Sequence, residues 1–261
     1  MVSLKQGVEV VARNLSQSTD SDVIHLRALR KAIGWVAVTL PFALVAGENL
    51  RDALIPATAE SARVIIEGSM SAYFHTGMRE VFVGSLCAIG VFLVCYKGPE
   101  RWDKLAARIA GFAVLFVALF PTADPSREAP GPGEGLRDSM TIFSGPNGPD
   151  PGYVNVIHLV SAAVFFLTLA GMSIFLFTKS GQTNPTVPRR RRRRIYIGSG
   201  IVIIIALVLI AIGKLIPDSV NDGVPFVFWF EAIAVVSFGI SWLTKAHVIF
   251  GDDEQTVKPA G

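Results

Sequence analysis

Cysteine is scarce in this chain, and so is charge. Two cysteines occur among 261 residues, Cys87 and Cys95, and both fall inside one apolar run. Eight positions apart on a helix, they stand roughly 12 Å apart along its axis, too far for a disulfide. Neither has a CxxC partner. A disulfide scaffold and a thiol-based redox or metal site therefore find no support, and both thiols are expected to be small buried hydrophobes. Charged residues make up only 17% of the sequence, against about 25% in a typical soluble domain. No secretory leader is visible, because Lys5, Glu9, Arg13, Asp20 and Asp22 interrupt the first 25 residues. The four histidines form no HxxH or HExxH pair. No internal repeat is evident, which argues against an inverted-repeat transporter.

What is abundant is apolar sequence: 51% of the residues are hydrophobic. A hydrocarbon core of roughly 30 Å needs about 20 mostly apolar residues per helix. Six stretches qualify, at about 29–47, 78–96, 105–122, 154–178, 195–215 and 225–247. The expected fold is an all-α six-helix membrane bundle, with a 1–28 N-terminal segment and a 249–261 tail. Pro41 predicts a kink in the first span. The fifth, "IYIGSGIVIIIALVLIAIGKL", is apolar all round and should be the most exposed to lipid. Lys245, Lys104 and Arg108 lie where long cationic side chains snorkel to headgroups.

Lysine and arginine set the orientation. They flank the start of span one, fill the connection between spans two and three, and fill the connection between spans four and five. The other connections are poor in them and rich in Asp and Glu. Both termini are therefore expected in the cytoplasm of a bacterial-type inner membrane. The connections 48–77 and 123–153 then face outward; the first is expected to hold a short interfacial helix after Pro56, the second to form a cap. The run Arg189, Arg190, Arg191, Arg192, Arg193 and Arg194 reads as a topology and lipid anchor, at about 1 kcal/mol per residue on anionic lipid. A nucleic-acid partner is not expected.

The segment "EGSMSAYFHTGMREVFVGSL", 67–86, starts polar and ends apolar. Its polar part lies at the outer mouth of span two. His158 enters span four by about five residues and Glu231 enters span six by about six, roughly 7 to 9 Å deep. A carboxylate at that depth faces the bundle interior and has a partner, and Arg79 is the cation on the same side. Ser71, His75, Arg79, Glu80, Thr122, His158 and Glu231 are thus expected to line one outward polar cavity. A lipid headgroup or small polar ligand is the leading occupant, with no cofactor. The enzyme alternative is a metal-dependent hydrolase in which His75, His158 and Glu231 hold zinc. The transport alternative has little polar path to use, beyond Ser161, Thr168, Ser173 and Ser199.

The runs "FHTGMREVFVGSLCAIGVFLVCYKG", "ALFPT", "HLVSAAVFFLTLAGMSIF" and "FEAIAVVSFGISWLTK" resemble a family of bacterial polytopic membrane proteins without an established activity. A fainter similarity is to the ceramidase and progestin-receptor superfamily of intramembrane zinc hydrolases, whose early Ser and His would correspond to Ser69 or Ser71 with His75. The HxxxH pair and seventh span of those enzymes have no counterpart here; the sixth span offers Glu231 instead.

Overall fold

The computed structural model describes residues 2–54, 66–98, 100–122, 151–179, 187–213 and 225–249, with side chains from 27, 153 and 189 onward in the first, fourth and fifth of these. The connection 123–150, the segment after Pro56 and the tail from 250 lie outside the described residues.

Among the described residues, six α-helices follow one another: α1 Val2–Leu54, α2 Arg79–Cys95, α3 Arg101–Leu119, α4 Pro151–Gly171, α5 Val187–Gly213 and α6 Phe226–Lys245. A 3-10 turn, Ser71–His75, precedes α2, and a π-helical turn, Met172–Leu176, extends α4. No strand occurs among the described residues. Among the described residues, four helical stretches are long and apolar enough to cross a membrane: Arg27–Leu54, Tyr153–Leu176, Arg189–Gly213 and Phe226–Lys245. α2 has 17 residues, about 25 Å at the helical rise. α3 carries Arg101, Asp103, Lys104 and Arg108 in its first turns, which shortens its apolar length.

Several boundaries differ from expectation. α1 is one continuous helix of 53 residues that runs through Pro41. The arginine run is not a loop but the opening turns of α5; arginine is a good helix former. α3 begins at Arg101 because Asp103 Oδ2 accepts the Glu100 backbone N–H at 3.1 Å, closing a helix start that hydropathy alone cannot see.

Each helix packs on its neighbours in sequence, and α6 returns to pack on α1, closing a ring. Neighbours run up and down: Arg30, early in the apolar part of α1, reaches Tyr96 at the end of α2, while Phe228, at the start of α6, meets Gly68 before α2.

Two of the contacts have the same construction. Where α1 meets α6, a Cβ on Gly34 would stand 3.1 Å from the Gly239 carbonyl oxygen, and one on Gly239 would stand 2.8 Å from that of Gly34. Where α2 meets α3, Gly90 and Gly111 are related in the same way, at 3.1 and 2.8 Å. Val38 and Val94, each four residues after a glycine, fill the partner notches; Leu243 and Leu115 do so from the other side. Such backbone approach is the device of helix association in lipid, where apolar side chains gain little by leaving the solvent. The match is a local repeat that the surrounding sequence hides.

α5 keeps the smallest share of its apolar stretch inside the bundle among the four; Ile201, Ile205, Val208 and Ile212 all face outward, as its composition led us to expect. The cysteines depart from expectation. Both are free, Cys87 is half-buried and Cys95 is exposed on the bundle surface. Lys245 departs too: its ammonium does not snorkel but lies over the Phe177 ring, 5.0 Å from the centroid.

A polar layer at the α3, α4 and α6 mouth

At one end of the ring the 3-10 turn Ser71–His75 sits against the start of α6 and the end of α3. Burial of Tyr73, Phe74 and Met70 seats it. Tyr73 is fully buried and its ring centroid is 5.9 Å from that of Phe228 on α6. The backbone joins in, with Phe228 N–H donating to the Gly68 carbonyl at 3.0 Å.

Glu231 secures the same junction. One of its carboxylate oxygens accepts the Met70 backbone N–H at 2.6 Å. A carboxylate on an orphan amide is a charge-assisted bond, about twice as strong as a neutral one. Arg79, the cation expected beside it, has its guanidinium 4.3 Å over the Phe74 ring, on the same turn.

The two histidines serve the end of α3. The last carbonyls of a helix have no intrahelical donor. His158, buried on α4, donates from Nδ1 to the Phe120 carbonyl at 2.6 Å. His75, exposed, donates from Nε2 to the Thr122 carbonyl at 2.9 Å. Since a carbonyl can only accept, these bonds name the protonated nitrogen in each ring. Ser71 is buried, with its Oγ 3.0 Å from that of Ser69. Glu80 is exposed, and Thr122 and Arg79 are half-exposed.

Ser71, His75, Arg79, Thr122, His158 and Glu231 therefore belong to one layer built by the turn and the ends of α3, α4 and α6, with Glu80 at its edge. Among the described residues, no three His, Cys, Asp or Glu side chains are placed to hold a metal ion, so His75, His158 and Glu231 do not form a zinc set in this arrangement.

Two members of the layer escaped the sequence reading. Glu48, in the last turns of α1, is buried; its Oε1 accepts from Arg51 at 3.0 Å, and its Oε2 is buried without a hydrogen-bond donor. Arg51 lies across Gly77, where a Cβ would stand 2.6 Å from its Nε. The signal available was position: Glu48 falls four residues after Leu44, on the buried face that includes Leu40, Ala37 and Ile33. The second is Tyr73. Burial pushes its phenol above the ordinary range, partly opposed by the Glu67 backbone N–H, which donates to the phenol oxygen at 3.5 Å. The Glu67 and Glu48 charges add to the rise.

No family model matches this chain, and neither a curated protein nor a solved structure does.

Proposed function

We propose that the chain is a six-span protein of a bacterial-type plasma membrane, with both termini cytoplasmic, whose outward polar layer binds a lipid headgroup or a small polar ligand without turning it over. Support for the span count comes from the ring itself. α2 and α3 pack between two helices that are apolar enough to cross, and 17 and 19 residues fall within the range of about 17–25 used by membrane helices. The sidedness follows from the lysine and arginine alternation. The four exposed arginines Arg190, Arg191, Arg193 and Arg194 suit an anchor on anionic lipid.

The observation that carries the ligand reading is the division of labour in the layer. Ser71, Tyr73 and His158 are buried beneath, while His75, Arg79 and Glu80 stay open at the rim. A rigid floor beneath an imidazole, a guanidinium and a carboxylate is suited to a headgroup carrying both signs of charge. The seat formed by Glu231 and the histidines holds these groups in place before a ligand arrives, which lowers the ordering cost of binding.

The test is a titration of detergent-purified protein with short-chain phosphatidylethanolamine and with free ethanolamine phosphate, read by thermal stabilisation. Saturable stabilisation is expected, lost in Arg79→Gln combined with His75→Gln and retained in Arg192→Gln. Absence of saturation with either probe, or indifference to the rim substitutions, overturns the reading. Stoichiometric zinc on purified protein would replace it with the hydrolase.

A further inference from the structure

Glu48 has a need that the polar layer around it does not meet. Its side chain is only 9% exposed. Oε1 accepts from Arg51 Nη1 at 3.0 Å, while Oε2 is buried and has no donor. An acceptor shut away from water without a partner costs free energy, and a charged one costs more than a neutral one. A donor carried by a ligand removes that cost.

Three contacts tie Glu48 to the layer. A Cβ on Gly47, beside it, would run into Met78 Sδ. Arg51, nearly one turn later on α1, lies across Gly77, which is two residues from His75 and two from Arg79. The Glu48 and Glu67 charges both act on the Tyr73 phenol. The layer thus has an acidic side, with Glu48 and Glu67 about Tyr73, and a cationic side, with His75 and Arg79 beyond Gly77. Arg51 covers the acidic side. It is half-exposed, and it stands 3.6 Å from Asp52 Oδ1 as well as 3.0 Å from Glu48. A shift of its guanidinium toward Asp52 uncovers Oε2 and leaves the arginine paired.

On the reading of this layer as a headgroup site, on which the inference rests, we propose that its ligand carries a primary ammonium and that Glu48 Oε2 accepts one of the ammonium N–H groups, while the rim at Arg79 and His75 takes the anionic phosphoryl end. The ammonium is primary because Oε2 needs a hydrogen and not merely a charge. A quaternary ammonium has no N–H and is recognised instead by open aromatic faces. Phe74 gives its face to the Arg79 guanidinium, at 4.3 Å, and Tyr73 is fully buried. Ethanolamine-type zwitterions are therefore favoured over choline-type ones. The ligand is either an aminophospholipid or a soluble phosphoryl amine.

The test compares matched pairs on the full chain in detergent, by thermal stabilisation against ligand concentration. Ethanolamine phosphate and choline phosphate form the soluble arm. Short-chain phosphatidylethanolamine and phosphatidylcholine of equal chain length form the lipid arm. The native chain should prefer the ethanolamine member by about tenfold, the worth of one charge-assisted hydrogen bond. A preference confined to the lipid arm identifies an aminophospholipid, and one present in both arms identifies a ligand for which the soluble zwitterion suffices. Glu48→Gln removes the charge, and the affinities for the two members should then converge. If that variant fails to fold, Arg51→Gln takes its place: with the competing guanidinium gone, the ethanolamine member should bind more tightly and the choline member should not gain. Equal affinity for the two members in both arms, a preference that survives Glu48→Gln, or an Arg51→Gln variant without the selective gain overturns the amine assignment and leaves the headgroup reading standing. Absence of saturation with all four ligands overturns both.

Discussion

Replacing Gly239 with alanine tests the packing logic of the ring at its closure. The added methyl carbon would stand 2.8 Å from the Gly34 carbonyl oxygen, 3.0 Å from the Val38 amide nitrogen and 2.6 Å from Val38 Cγ2. Val38 Cγ2 can swing aside, but the two backbone atoms cannot, so α1 and α6 must separate. Overpacking of this kind costs about 1–3 kcal/mol. Alanine is itself a better helix residue than glycine by about 0.8–1.0 kcal/mol, which masks part of the loss. Gly84→Ala isolates that gain, since nothing lies within 4 Å of a Cβ there. The difference between the two variants is then the overpacking term alone. For a chain of this size, each 1 kcal/mol moves the midpoint by roughly 2–4 °C, so Gly239→Ala should melt several degrees below Gly84→Ala. The assay is the monodisperse fraction surviving heating in detergent, at one scan rate because membrane proteins seldom refold on cooling. Gly111→Ala, facing Gly90 at 2.8 Å, should behave alike. If Gly239→Ala melted at or above Gly84→Ala, the close approach of the two backbones would not be what holds α6 to α1.

Further outcomes are expected elsewhere. Glu231→Ala strips the Met70 amide of its acceptor and should cost about 1–3 kcal/mol, with Glu231→Gln costing less; if Arg79 shares that charge, adding Arg79→Ala will cost less than the sum of the single changes. Ser173 and Ser241 share a fully buried hydrogen bond of 2.9 Å, so either alanine alone should destabilise, while the double alanine costs less than the sum in the same thermal assay. The raised pKa of Tyr73 favours the folded state fully below the ordinary tyrosine value of about 10. Above it the unfolded phenol ionises first, and stability falls as pH climbs toward the folded pKa. Tyr73→Phe should flatten that alkaline limb in a pH series of melting midpoints. In a background with Cys87 and Cys95 replaced by alanine, a membrane-impermeant maleimide applied to intact cells should label Glu80→Cys and spare Lys179→Cys; the reverse pattern would invert the topology.

How much of this is legible in the sequence depends on which atoms make the contacts. α4, α5 and α6 announced themselves because long apolar runs can satisfy their backbone polar groups only as helices in lipid. The extension of α1 back to Val2 had no such signal, since its first turns are polar. Depth counting brought His75, His158 and Glu231 to one layer, and each does bind there. Their partners are the Thr122 and Phe120 carbonyls and the Met70 amide, groups that every residue carries, so no sequence pattern marks them. The 3-10 turn is a tertiary product: burial of Tyr73 and the grip of Glu231 stabilise it between Gly68 and Gly77. The aromatic setting of Lys245 was missed for another reason. The bias rule treats lysine and arginine as charges in water, yet Arg192 and Lys245 turn into the ring among aromatic side chains. The stripe from Arg192 through Tyr196 to Ile203, spaced by fours and threes, was the available clue.

The Gly34 and Gly239 contact joins residues about two hundred positions apart. During synthesis α1 emerges well before α6, and its glycine notch must wait for that helix before it is filled. In the interval the face bearing Gly34, Ala37 and Leu44 is open to whatever else the membrane contains. A chain truncated before α6 therefore leaves α1 with an unfilled backbone groove of the kind on which small-residue helices pair. Such a fragment is primed to associate with a second copy, or with α6 of a complete neighbour. Closure of this ring is thus timed by the arrival of α6.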